Sequence, residues 1–483
     1  MEKRILFLYF ILALGIKLAL FFILNQSKIF QFSGFIGELS GDSNGYLNPV
    51  DQLFETGVFY SAHRMPGYSL VYFFFSLFFN KVLSLNLLVI FQVAMSALSC
   101  VILAHLSYLI SHKMWVFIST FILTLFSTYL TWYDGYVLTE SLTASVLILL
   151  VYFVGIYFLV KRNWRWMLVA GLLYSWLVFL RPVFFPLSFL FFLLFFINKL
   201  NWRAFGFNVA IFISPFLFFD SLWILANCHW HKKFVPLQVS FLGPSQSNVF
   251  FEPAFRFIQT WGGNYQWWDP GAEIRYFGVG HDSLVYSDQD KIVFPKEIFT
   301  SEFTIDSLEV LRQELLALKL DSGFIIESEF DLRSKSIYRK FEDYSMSIKR
   351  ENPKLYWFDS RLSLIHQFFF TTKIRNPFYN VDFPLRDQFI YIKSLAYIGT
   401  LVFGYISSVI LLFFLKREPV LMLLTGIVWY VFLIHPIVLR VVENRYLLPS
   451  YPFLVLSIIL GFYFVTNKYV FRKKQVDTSG APA

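Results

Sequence analysis

Long apolar runs separated by short polar breaks set the pattern of this chain. They are Arg4 to Leu24, Leu87 to Ile110, Trp115 to Leu130, Leu138 to Val160, Met167 to Leu180, Val183 to Ile197, Phe205 to Leu225, Phe389 to Leu415, Val420 to Leu439 and Leu447 to Val465. Such runs predict helices that cross a hydrocarbon core of about 30 Å. One more run, Tyr68 to Phe79, holds about a dozen residues, short of the ~17 a crossing needs, and predicts a juxtamembrane or re-entrant helix. The expectation is an all-α polytopic membrane protein, a bundle of about ten helices plus one half-inserted helix.

Composition agrees and excludes alternatives. With 57% hydrophobic and only 15% charged residues the chain cannot be a soluble globule. The net charge of +9 raises the question of nucleic acid. The excess, however, lies in short clusters beside apolar runs, and no basic groove interleaved with stacking aromatics is visible, so no nucleic-acid partner is expected. Cys100 and Cys228 form no disulfide framework. Met1-Glu-Lys-Arg before the first run reads as an uncleaved signal anchor, with Lys3 and Arg4 in the cytoplasm.

That start fixes a topology. If Tyr68 to Phe79 stays on the outer side, the clusters at His112-Lys113, Lys161 to Arg165, Lys199 and Arg203, Lys416-Arg417 and Arg472 to Lys474 fall on the cytoplasmic side. If it crosses, those from Lys113 to Arg203 fall outside. The short-helix reading therefore gathers Asp42, Arg64, Asp134, Glu140, Arg181 and Arg445 at one outer face of a cytoplasmic membrane. The domains expected are 1–225, a membrane module whose external loop spans 25–85; 226–387, an extracytoplasmic domain; 388–470, the final spans; and 471–483, a disordered tail. Within 226–387, Ile305 to Lys319 and Ile325 to Arg350 carry apolar residues at helical spacing and predict an α-rich domain.

The chemistry is expected in Gly41 to Tyr68. Asp42 opens this polar stretch on a Gly-Asp-Ser-Asn-Gly turn and Arg64 closes it before Met-Pro-Gly, bracketing a short amphipathic piece. Asp42, Tyr46, the Leu53 to Gly57 helix end, Arg64 and Pro66-Gly67-Tyr68 together resemble the first external loop of GT-C glycosyltransferases, with Ser69 where that family has a second proline. Tyr133 to Glu140, Leu180-Arg181-Pro182 and Glu443-Asn444-Arg445-Tyr446 to Pro449 are similar to later outer-face elements of that family, in its bacterial branch related to protein O-mannosyltransferases and lipid A aminoarabinose transferases.

The resemblance implies an inverting enzyme that moves a monosaccharide from a polyprenyl-phosphate carrier to a glycan, lipid or protein acceptor of the envelope. It implies Asp42 as general base, Asp134 as its understudy and Glu140 as a third catalytic carboxylate. Arg445 is the first candidate for the donor phosphate, with Arg64 and Arg181 behind it, and Tyr46, Tyr68 and Tyr446 would line the substrate. Neither a cofactor nor a metal is expected, although oligosaccharide-transferring relatives use a metal.

Blander readings stand beside these. Arg181 reads equally as an arginine snorkelling to headgroups, and Arg440, without motif company, reads that way outright. Glu140 could simply complement a helix N-terminus. His229-Trp-His231 reads as interfacial, Asp288-Gln-Asp290 as chance, and Trp261 to Gly271 as a capping core or a sugar-stacking platform. A transporter or flippase of lipid-linked sugars is the rival. It predicts polar residues or broken helices within the spans, whereas the charges here are read as lying at span ends. A membrane scaffold leaves Asp42 and the arginines unexplained.

Overall fold

The computed structural model describes residues 2–25, 34–59, 64–198, 201–238, 251–263, 294–321, 327–370, 385–416 and 418–479. Asp288-Gln-Asp290 and most of Trp261 to Gly271 lie outside them. Among the described residues the fold is all-α, with a single isolated bridge between Glu38 and Tyr136. The chain divides into two compact units, residues 1–239, 372–432 and 444–483 in the first and 240–371 with 433–443 in the second.

In the first unit the helices are α1 (Lys3–Asn25), α2 (Asn44–Thr56), α3 (Ser69–Ser76), α4 (Lys81–Ser111), α5 (Met114–Leu125), α6 (Thr128–Asp134), α7 (Thr139–Leu159), α8 (Trp164–Leu180), α9 (Ser188–Ile197) and α10 (Trp202–His231). Six described helices are long and apolar enough to cross a membrane, and α5 with α6, bent by 51°, makes a seventh if the pair is one span. The crossings expected at Met167 to Leu180, Val183 to Ile197 and Leu447 to Val465 fall on shorter apolar helices.

Burial orders the bundle. The apolar window of α7 is 72% buried, which a helix apolar all round requires, against 17% for α1 and 22% for α10. Those two present Phe7, Leu8, Phe218 and Leu222 outward, as a helix facing lipid would. α7 packs on α4 and α8, and α8 on α10. At Gly171 a Cβ would come within 2.4 Å of the Phe212 carbonyl oxygen, so glycine is what lets α8 and α10 approach.

Short α3 decides how the bundle's ends are arranged. Eight residues cover about 12 Å, less than half a hydrocarbon core. Lys81, at the start of α4, pairs with Asp51 of α2 at 2.7 Å, and the Tyr72 hydroxyl donates to the same carboxylate at 3.2 Å. The chain thus leaves α1, passes through α2 and α3, and enters α4 at one end of the bundle.

The second unit contains α11 (Phe251–Gln259), α12 (Ile305–Asp321), α13 (Glu327–Glu351) and α14 (Ser360–Phe370). The two predicted helices are α12 and α13, and they bury the stripes the spacing marked: Leu308, Leu311, Leu315 and Leu318 on one, Ile337, Phe341 and Ile348 on the other. Trp261 lies in this core.

Three boundaries differ from expectation. α10 runs on to His231, beyond Leu225, because Trp223, Ala226 and Asn227 continue the helix and Asn227 bonds back to the Trp223 carbonyl. His229 and His231 therefore sit two apart on a helix and not on a strand. The second unit also takes in 433–443, where α16 (Leu421–Leu433) gives way to the π-turn Ile434–Leu439 around Pro436. Finally, α15 (Arg386–Leu412) and α17 (Tyr451–Ser479) pack together, and α17 continues as helix through the segment expected to be disordered from 471. Lys473, Lys474 and Gln475 are good helix formers and extend a helix already nucleated. Residues 480–483 lie outside the described residues.

Candidate functional site

The loop after α1 is pinned before Asp42 is reached. The Glu38 amide donates to the Gly135 carbonyl at 2.8 Å, the Val137 amide to the Glu38 carbonyl at 3.0 Å, and the Ser43 hydroxyl to the Val137 carbonyl at 2.8 Å. The turn that carries Asp42 is thereby laid against the entry to α7, where Glu140 stands in the first turn.

Arg64 is placed by a second anchor. The Gly67 amide donates to the Phe179 carbonyl at 3.2 Å, and the Trp176 indole donates to the Gly67 carbonyl at 3.0 Å. A Cβ at Gly67 would lie 2.4 Å from the Phe179 carbonyl carbon, so only glycine allows this contact. It joins the Arg64 turn to the end of α8, where Arg181 follows. The Tyr129 hydroxyl, in turn, donates to the Asn444 carbonyl and fixes the turn that bears Arg445 and Tyr446.

Five charged side chains converge as a result. Asp42 accepts from Arg64 at 2.7 Å on one oxygen and from Arg445 at 3.0 Å on the other. Glu140 lies 3.6 Å from Arg445 and 3.7 Å from Arg181 through its Oε1. Tyrosine rings line the cations: Arg64 lies over Tyr46, and Arg181 and Arg445 both lie over Tyr446. Asp42 is half-buried, Glu140 fully so.

Burial opposes ionisation of Asp42, but the charges of Arg445 and Arg64 and the hydrogen bond from Arg445 outweigh it and hold the carboxyl below the usual range. Asp42 is thus a carboxylate at any physiological pH. Burial pushes the Tyr46 and Tyr68 phenols up, so both act as neutral hydrogen-bonding groups. Both carboxylates face guanidiniums, a donor set suited to an anion rather than a cation.

Two expected members stand elsewhere. Asp134 is buried, accepting from the Ser141 hydroxyl at 2.6 Å and pairing with Lys17 at 3.4 Å. Fully buried Tyr68 donates to Gln92 at 2.7 Å and supports the Tyr46 ring, 5.2 Å away between centroids. Both are buried and held by partners outside the five-charge cluster.

Lys17 and Gln92 were missed by motif reasoning. Gln92 accepts from Tyr68 and donates to the carbonyls of Asp134 and Tyr136, linking the Tyr46 side of the cluster to the α6–α7 turn. Lys17 lies inside α1 and is fully buried, which corrects the reading that charges occur only at span ends. A charge within an apolar run is itself the signal that could have found it. Comparison with family models, curated proteins and solved structures yields no match.

Proposed function

We infer that this chain is an inverting GT-C glycosyltransferase with a bundle of about ten membrane helices. It transfers a monosaccharide from a polyprenyl-phosphate carrier to an envelope glycan, lipid or protein acceptor at the outer face of the cytoplasmic membrane. One observation carries the reading: Arg64 and Arg445 both hold Asp42, and Arg445 and Arg181 both lie beside Glu140, so three guanidiniums are gathered around two carboxylates. Among the described residues of the cluster, three guanidiniums stand against two carboxylates, an excess of positive charge that suits a phosphodiester.

The chemistry follows from the residue types. Donor phosphate takes guanidinium donors from Asp42, and arginine's planar fork suits phosphate oxygens. Freed of its partners, the Asp42 carboxylate accepts the proton of an acceptor hydroxyl as that oxygen bonds to the anomeric carbon. The bond from that carbon to the phosphate oxygen breaks, its electron pair stays on the phosphate, and configuration inverts in the single displacement. Glu140 Oε2 is buried without a hydrogen-bond partner among the described residues, which suits it to a sugar hydroxyl.

The test is transfer itself. Protein in liposomes, given labelled polyprenyl-phosphate sugar and envelope acceptors, should release free carrier phosphate, and Asp42→Asn should stop it. A second reading, a flippase, is favoured by the buried Lys17–Asp134 pair beside the bent α5–α6 helix. It predicts that intact donor changes leaflet in the same liposomes with no carrier released.

A further inference from the structure

A second gathering of cations lies within the other unit. The π-turn Leu355–Asp359 before α14 presents Tyr356 and Trp357, and three cations surround their rings. Arg440, Arg361 and Lys349 lie 4.9, 5.5 and 5.6 Å from the Tyr356 centroid. Arg361 and Lys349 also lie 5.3 Å from that of Trp357. No carboxylate among the described residues pairs with any of the three; the nearby Asp359 is taken by Lys354 at 3.3 Å. Like charges so placed repel, and two ring faces do not neutralise them. Burial and the neighbouring Arg440 both push the Arg361 guanidinium below its usual range.

The cluster is built rather than incidental. Arg440 holds φ +54°, a left-handed conformation unfavourable for a side chain of its kind, and Gln259 fixes it there by donating to the Leu439 and Arg440 carbonyls at 2.9 and 3.0 Å. Two π-turns, rare elements frequent at functional sites, end at this place. The position along the chain is equally pointed, because Arg440 directly follows Leu421–Leu439, an apolar run long enough to cross a membrane. Beside the cations, Trp357, Phe358 and Leu362 are left exposed. Exposed aromatic and aliphatic side chains next to unpaired cations, at the end of a span, are what a headgroup layer meets.

We propose that Lys349, Arg361 and Arg440 form a binding site for the phosphate of an anionic membrane lipid, with Trp357, Phe358 and Leu362 set against its glycerol and acyl portion. The occupant is a bilayer lipid and not a free phosphate, because an isolated phosphate would leave those three apolar side chains uncovered. The site is independent of the Asp42 cluster and does not depend on the reaction proposed for it.

The experiment places an environment-sensitive fluorophore at Leu362→Cys in the full chain, with Cys100→Ala and Cys228→Ala, in neutral detergent. Dihexanoyl phosphatidylglycerol should shift its emission at a concentration at least about tenfold lower than dihexanoyl phosphatidylcholine does. Lys349→Gln/Arg361→Gln/Arg440→Gln should erase that preference; if the triple variant does not fold, Arg361→Gln alone should reduce it. Equal responses to the two lipids, or a preference that survives loss of the charges, overturn the proposal. A response to inorganic phosphate at the phosphatidylglycerol concentration overturns the lipid assignment.

Discussion

Asp42→Asn is the substitution on which the proposed reaction is most exposed. Its shape is unchanged, but one amide oxygen replaces two charged ones that hold Arg64 and Arg445 at 2.7 and 3.0 Å. At an effective dielectric constant of about 20, each contact carries a gross attraction of about 6 kcal/mol, most of which desolvation offsets. Losing one partner of a fully buried pair costs about 3–5 kcal/mol, an upper bound for a half-buried one such as this. The folding cost expected is therefore about 1–3 kcal/mol, and the variant still folds. Loss of a positioned base removes about 10² to 10⁴ in rate, or about 3–5 kcal/mol of barrier.

The two effects separate by assay. Thermal unfolding in detergent reads the first, and carrier phosphate released in a single turnover from saturating donor reads the second. Asp42→Glu keeps the charge and should recover most of the stability while recovering little of the rate, since its carboxylate stands one methylene further out. A folded Asn variant that transfers at the wild-type rate would refute the base assignment.

The low Asp42 pKa gives a stability prediction with a definite sign. A depressed carboxylate contributes stability that is complete above its unfolded value of about 3.9 and is lost as pH falls through the lower folded value. The difference in unfolding temperature between wild type and Asp42→Asn should thus be constant from pH 7 to 5 and shrink only below about pH 4; shrinkage near pH 6 would contradict the pairing. Lys17→Met strands the buried Asp134 carboxylate and should cost about 3–5 kcal/mol, much of it regained in Lys17→Met/Asp134→Leu, as a double-mutant cycle in detergent will read. Gly67→Ala drives a methyl into the Phe179 backbone and should cost about 1–3 kcal/mol, with transfer falling further than stability because Arg64 moves with the turn.

Much of the candidate site was legible because loops carry it in compact, ordered stretches. Asp42, Arg64, Glu140, Arg181 and Arg445 each adjoin a turn residue or a helix end, and the structure links all five through a chain of ion pairs. What the sequence hid was pairing across distance. Nothing in the local pattern near Asp134 says that its carboxylate meets Lys17 of α1, or that Gln92 joins Tyr68 to the α6–α7 turn. Arg440 reads as a solitary snorkelling residue because its companions, Lys349 and Arg361, lie 91 and 79 positions earlier and its placement depends on a π-turn, which has no periodic signature.

Sharing arginines between a base and a leaving group has a consequence for the proposed reaction that neither role gives separately. As the acceptor proton reaches Asp42, the site loses one negative charge; as the sugar leaves, the carrier goes from phosphodiester to phosphomonoester and gains up to one. Arg64 and Arg445 can turn from the first to the second without moving far, so the net charge of a half-buried, tyrosine-lined site hardly changes along the reaction. A low-dielectric site penalises changes in net charge, so this exchange lowers the barrier where two independent ion pairs would not. It also leaves product bound more tightly than donor. Free polyprenyl phosphate should therefore inhibit at concentrations below the donor KM at pH 7.5. That inhibition should weaken below about pH 6, where the monoester takes up a proton. A product that binds more weakly than the donor throughout this range would show that the guanidiniums do not pass from Asp42 to the phosphate.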